Sequence, residues 1–281
     1  MVSGTRETTR VPAQAGRFYE EEPRALRQTI DRLLAEAPTT SFQKTPTALL
    51  APHAGYVYSG HVAAAAYRTV QGRTFDRVMI LAPTHYEQFT GAALAPYRAF
   101  QTPLGSVPVD QKAVRELADA PHFEISEAAH AQEHAIEVEL PFLQVALAGP
   151  FHILPITLGE LPPGGLEPMV ETLAGLLDQR RAQCQRWLVV ASSDTYHGYD
   201  REACRENDER LMQLLQGMDV EELVRASCTS EVMACGWKAL AIAMMLARRC
   251  GARECRILDH RDSADAMGVS PEREIRSRQY V

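Results

Sequence analysis

Two short apolar runs in this 281-residue sequence each deliver a histidine. The first reads T-A-L-L-A-P-H-A-G-Y over residues 47–56 and the second V-M-I-L-A-P-T-H over residues 78–85. Each run has the composition of a buried strand and is stopped by a proline, which cannot donate to a central ladder. In open α/β sheets the crevice beyond the carboxyl ends of the strands is where ligands bind. Two strands ending in A-P-H and A-P-T-H therefore bring His53 and His85 toward one crevice. Imidazoles so placed hold a metal or move protons, whereas either histidine alone reads equally well as a hydrogen-bonded turn residue.

Three further stretches carry candidate chemistry. The strand pattern R-W-L-V-V-A-S-S over residues 186–193 exits into Asp194-Thr195-Tyr196-His197. Asp194 and His197 there could ligate, orient a ligating imidazole or move a proton. The run H-A-Q-E-H-A-I-E-V-E-L-P over residues 130–141 places His130 and His134 four apart and Glu137 three beyond His134. These intervals share one face if the run is helical. Glu133 precedes His134 directly, so on a helix it points elsewhere, and H-E-x-x-H is absent. Cys235 stands at or just before an apolar helical run, a position that favours thiolate.

The elements that must position these residues alternate strand and helix, which argues one sheet with helices around it. Further strands are expected at residues 91–95, 151–156 and 256–260. Helices are expected from Pro23 through Leu34, over residues 62–67, after an Asp110 cap with Val114 and Leu117 buried, and over residues 167–177, 202–216 and 237–246. Residues 1–10 are polar and expected to fray, leaving 11–281 as one domain. The Gly159–Gly165 loop is no boundary, because candidate residues lie on both sides of it. Tyr280 and Val281 are expected to tuck against the body.

A formal charge of -7, with 29 basic and 36 acidic residues, leaves no global nucleic-acid footprint. The apolar stretch 239–247 is too short to span a bilayer. No charged leader with an apolar core opens the sequence, so a cytoplasmic location is the expectation. None of the six cysteines forms C-x-x-C, and reduced, structural thiols are expected for most.

Taken together and in order, P-A-Q-A-G-R-F-Y, A-P-H-A-G-Y-V-Y-S-G, L-A-P-T-H, T-P-L-G-S-V-P-V-D, E-H-A-I-E-V-E-L-P-F-L, I-L-P-I-T-L-G and S-S-D-T-Y-H resemble the Memo family from about Val11 to the terminus. The resemblance implies a single α/β domain similar to class III extradiol dioxygenases, with a central mixed or partly parallel sheet flanked by helices. It implies a metal-site region lined by His53, His85 and Cys235, with Asp194, His197 and His134 in the same pocket. Ala135 stands where the family usually has serine. S-S-D-T-Y-H replaces the more usual S-S-D-F-S-H, and the closing R-S-R-Q-Y-V replaces V-G-Y-[AS].

The resemblance implies iron or copper chemistry, with zinc also suited to two imidazoles and a thiolate. The leading expectation is a mononuclear metal oxidoreductase acting on a small molecule, with His197, oriented by Asp194, as acid–base group and His134 stabilising an oxygenated intermediate. Related ring-cleaving enzymes use two histidines and one carboxylate, so a cysteine in third place means catechol cleavage is not simply inherited. The alternatives are metal binding without turnover, an interaction protein, and a zinc- or cysteine-dependent hydrolase. A radical-SAM pathway companion is the partner that the resemblance implies for microbial members.

Overall fold

The computed structural model describes residues 9–40, 42 and 44–266. The expected docking of Tyr280 and Val281, and the fraying of residues 1–8, lie outside the described residues. Within them, nine strands follow in chain order: β1 (Thr9–Arg10), β2 (Ala48–Ala51), β3 (Arg77–Pro83), β4 (Ala92–Leu94), β5 (Ala99–Thr102), β6 (Gly105–Pro108), β7 (Phe123–Ile125), β8 (His152–Leu158) and β9 (Trp187–Ser192). Six of these form the central sheet in the order β2-β9-β3-β8-β4-β7. Strands β2, β9, β3 and β8 run parallel, β4 turns antiparallel to β8, and β7 is parallel to β4. The sheet is therefore mixed, as expected. A small second sheet, β1-β5-β6, closes the N-terminal segment onto the body.

Parallel strands read as continuous apolar runs because helices cover both faces. Every residue of β9 is buried, as is every residue of β3 after Arg77 and of β8 after His152. The helices Pro23–Glu36, Tyr56–Arg68 and Glu139–Ala146 pack on one another, and Tyr56–Arg68 also meets β2. A second group, Leu166–Ala182, Val220–Cys228 and Trp237–Arg249, packs through its last member on β9, β3 and β2. Asp110 caps the Gln111–Ala118 helix through Lys112 and Ala113, with Val114 and Leu117 buried as expected. No helix of the described residues is long and apolar enough to cross a membrane.

Two local expectations fail for physical reasons. Residues 256–260 form no strand: Ile257 and Leu258 are the only two apolar residues between charged neighbours, too few to bury a strand on either face. The run is held instead by His260, whose Nε2 lies 2.7 Å from Asp208 Oδ2. Nor does residue 10 belong to a frayed start. Arg10 is buried, and its guanidinium donates to Glu137 Oε2 at 2.6 Å and to the carbonyls of His130 and Glu133.

Glu137 is fully buried and accepts four hydrogen bonds, from Arg10, the Ala13 and Gln14 backbone N–H groups and the Tyr19 hydroxyl. One carboxylate thus staples the P-A-Q-A-G-R-F-Y segment to the body. Removing one partner of a buried pair leaves an uncompensated charge. Arg10→Ala is expected to destabilise the fold by about 3–5 kcal/mol, read as a lower denaturation midpoint in urea.

Candidate metal centre

The parallel strands end together, and their exits form the site. β2 runs into Pro52 and His53, β3 ends at Pro83 and leads through Thr84 to His85, and β9 leads into Ser193 and Asp194. Asp194 Oδ1 accepts the backbone N–H of His53 at 2.8 Å and of Ala54 at 3.2 Å, tying the β9 exit to the β2 exit. Cys235 arrives from the other side, one residue before the Gly236 that caps Trp237–Arg249. A Cβ on Gly236 would meet the Ser192 carbonyl oxygen at 2.4 Å and Ser193 Cβ at 2.7 Å. Only glycine lets this helix start so close to β9. Ser193 Oγ accepts the Gly236 N–H at 2.9 Å and completes the junction.

Cys235 Sγ lies 3.3 Å from His53 Nε2, and one ligand atom from each of His53, His85 and Cys235 falls within 4.8 Å of the others. A metal about 2.0 Å from nitrogen and about 2.3 Å from sulfur requires donor separations of this size. The His53 and His85 ring centroids are 5.1 Å apart. His134 joins them, with its centroid 4.3 Å from His85 and 5.3 Å from His53. Asp194 Oδ2 is 3.8 Å from both His53 Nε2 and His197 Nε2, and His197 sits at the more open rim. The six sequence-derived residues are therefore neighbours in one region.

The Memo-like protein family profile matches residues 10–272. The chain belongs to the Memo family. Among its relatives are MEMO1 family proteins of Nitrosopumilus maritimus, 32% identical over 264 residues, and of Saccharolobus solfataricus, 31% identical over 271. Another, from Sulfolobus acidocaldarius, is 33% identical over 272 residues. Each of these alignments covers 92% of this chain and 94% of the relative. The mixed α/β fold is that of the extradiol-dioxygenase-like Memo proteins.

Within this Memo-family site, Glu133 is the residue that the sequence pattern misplaces. The His130–Glu137 run is not one helix but two short turns, Ala128–Ala131 and His134–Glu137, separated by Gln132 and an extended Glu133. His130 is consequently not on the face of His134. It is buried, its Nε2 lies 3.0 Å from the Ala93 carbonyl, and burial first of all pushes it down to about 4. The extended backbone instead swings Glu133 inward. Its carboxylate accepts the His85 backbone N–H at 2.6 Å and the Ala135 N–H at 2.9 Å, and lies 2.9 Å from His85 Nδ1. Burial alone would raise this carboxyl, but the His85 and Ala135 hydrogen bonds and the His85 charge hold it down at about 2. An ionised Glu133 makes Nδ1 of His85 the protonated nitrogen and leaves the Nε2 lone pair free to bind a metal. A His–carboxylate pair was legible only as composition, because the break at residues 132–133 has no proline or glycine to mark it.

Electrostatics also differ from expectation at Cys235. Its position before a helix favours thiolate, yet burial and then Asp194 push the thiol up to about 12 against the pull of the Asp194 and Gly236 N–H groups. Burial likewise lowers His53, and takes His134 down to about 4 with help from the His53 charge. All six cysteines are free thiols.

Glu133→Gln preserves size but presents an amide N–H group where one of the His85 or Ala135 donors now finds an oxygen. A metal held through His85 Nε2 is expected to bind about 10- to 100-fold more weakly in this variant, measured by anaerobic cobalt(II) titration with circular dichroism confirming the fold.

Proposed function

We propose that this Memo-family chain is a mononuclear metal protein in which His53, His85 and Cys235 hold iron(II) or copper, and that it is an oxidoreductase acting on a small molecule. The observation that carries the reading is the 3.3 Å approach of Cys235 Sγ to His53 Nε2 beside His85, three donors delivered by three separate elements. The donor chemistry fits: two imidazoles with one thiolate favour iron, copper or zinc and disfavour magnesium. When bound, such an ion supplies redox chemistry and Lewis acidity at its open coordination positions.

The chain's own residues supply the rest. Glu133 and Ser192 each meet Nδ1 of one ligating imidazole and so aim Nε2 inward. His134, kept neutral near pH 7, stands beside both ligands and takes or gives a proton at a substrate oxygen or nitrogen. His197 does the same from the rim, with Asp194 3.8 Å from its Nε2 to stabilise the imidazolium. Phe18 and Tyr86 flank His134, with ring centroids 4.8 and 5.9 Å away, and supply apolar surface for a substrate. Free cysteines suit a reducing cytoplasmic setting, and the family resemblance supports a radical-SAM companion as partner.

Metal binding without turnover is the second reading, favoured by the same three donors. A hydrolase with Cys235 as nucleophile has less support: its thiol is pushed up to about 12, and the imidazole beside it, His53, is lowered by burial. Anomalous diffraction at the metal edges from anaerobic crystals is expected to place one ion about 2.0–2.3 Å from two imidazole nitrogens and sulfur. His53→Ala and Cys235→Ala are each expected to abolish stoichiometric uptake; normal uptake by both would overturn the placement. Oxygen uptake by the iron(II) form across small phenols separates the readings, since binding without turnover consumes none catalytically.

A further inference from the structure

Behind His53, on the side away from the other donors, lies a polar network that the proposed chemistry leaves unused. Ser192 Oγ is 2.8 Å from His53 Nδ1, 2.7 Å from the Ala135 carbonyl oxygen and 2.7 Å from Glu139 Oε1. Tyr67 donates its hydroxyl proton to the other carboxyl oxygen, Glu139 Oε2, at 2.7 Å. Ser192, Ala135, Glu139 and Tyr67 are all fully buried, closed off from bulk solvent.

The protons in this network can be counted. A hydroxyl gives one hydrogen bond and receives two. The Ala135 carbonyl only accepts, so the single Ser192 proton goes there. The two remaining partners must then be donors: His53 through Nδ1–H, and the residue 139 carboxyl through an O–H on Oε1. A carboxylate at 139 would set two acceptors against one serine proton in a site closed off from bulk solvent, leaving one buried oxygen unpaired.

We propose that Glu139 is a positioning residue carried as a neutral carboxylic acid, whose proton on Oε1 goes to Ser192 and thereby fixes His53 as the Nδ1–H tautomer with Nε2 free for the metal. The consequence for metal rests on the reading of His53 as a ligand; the proton on Glu139 does not. The surroundings agree. Burial raises this carboxyl to about 8, outweighing the Tyr67 hydrogen bond, with Asp194 adding to the rise. The titratable groups facing it are Tyr67 and Tyr56 of the Tyr56–Arg68 helix and Asp194 beyond β9, and none is a cation.

Infrared difference spectra of the full metal-free chain between pH 6 and pH 9 test the proton directly. A carboxylic C=O band present at pH 6 and lost at pH 9 is expected, and Glu139→Gln is expected to lack it. Absence of such a band from the parent, or its persistence in Glu139→Gln, would overturn the proposal. Should that variant not fold, Tyr67→Phe removes the donor that favours ionisation and should move the loss of the band to higher pH; an unmoved or lower midpoint counts against the network. Nitrogen-15 shifts of the His53 ring should report Nδ1–H; an Nε2–H tautomer would be a second refutation. The glutamine amide donates to Ser192 and accepts from Tyr67 as the neutral acid does. Its cobalt(II) affinity should therefore stay within about threefold of the parent, against the about 10- to 100-fold loss expected for Ser192→Ala. Equal losses in the two variants would mean that charge at residue 139, not its proton, is what matters. If the parent takes up no cobalt(II), the metal reading fails while the infrared band still decides the proton.

Discussion

Burying carboxyl groups is the constraint on which this structure turns. Glu133, Glu137 and Glu139 fall within seven residues, and each is at most 2% exposed. An isolated buried carboxylate is costly, so each must be paired, hydrogen-bonded or neutral. The three find three solutions. Glu133 receives two backbone N–H groups and faces His85 Nδ1; Glu137 takes a guanidinium, two backbone N–H groups and a phenol; Glu139 pairs with one phenol and one serine hydroxyl. Each set of partners comes from a different part of the chain: the β3 exit, the N-terminal segment, and the β9 end with the Tyr56–Arg68 helix. Satisfying three acids therefore fixes the relative positions of the elements that carry the site.

The same logic explains why the donors converge where they do. The sheet order places β9 between β2 and β3, so the exits carrying His53, Asp194 and His85 are adjacent although they come from distant parts of the sequence. Asp194 holds the β2 exit through two backbone N–H groups, and the Asp194 N–H reaches Cys235 Sγ at 3.3 Å. Gly236 allows that approach sterically. Placement of the cysteine thus depends on a missing side chain one residue away as much as on the helix that follows.

These features were unequally legible in the sequence. The strand–proline–histidine repeat marked His53 and His85 because a buried parallel strand is continuous and apolar and its end is marked by proline. Cys235 was marked locally only by its place before an apolar helical run, and its pairing with the two histidines entered through family resemblance. Glu133 was hidden because a helical spacing rule was applied across residues 130–137, where an extended residue interrupts two short turns. Arg10 was hidden for a related reason: a polar N-terminus reads as solvated, and only the fold reveals the carboxylate that buries it. Residues 256–260 show the opposite error, a strand-like composition with only two apolar residues between charged neighbours, too few to bury a strand on either face.

The imidazoles of His53 and His85, the two proposed as ligands, are consequently not equivalent. His85 is backed by an ionised carboxylate and His53 by a serine hydroxyl whose own proton is committed to the Ala135 carbonyl. A hydrogen bond to a carboxylate raises the basicity of the opposite ring nitrogen more than one to a neutral oxygen does. His85 is then the stronger nitrogen donor and His53 the weaker, on the side that meets the sulfur of Cys235 at 3.3 Å. Negative charge is accordingly divided between the two sides of the cluster, Glu133 behind one imidazole and Asp194 beside the other. A second ionised carboxylate behind His53 would crowd a third charge against Asp194, whose field already raises Glu139. One segment supplying a charged acid to one imidazole and a neutral path to the other meets both demands, orienting two imidazoles without adding an unpaired charge to the core.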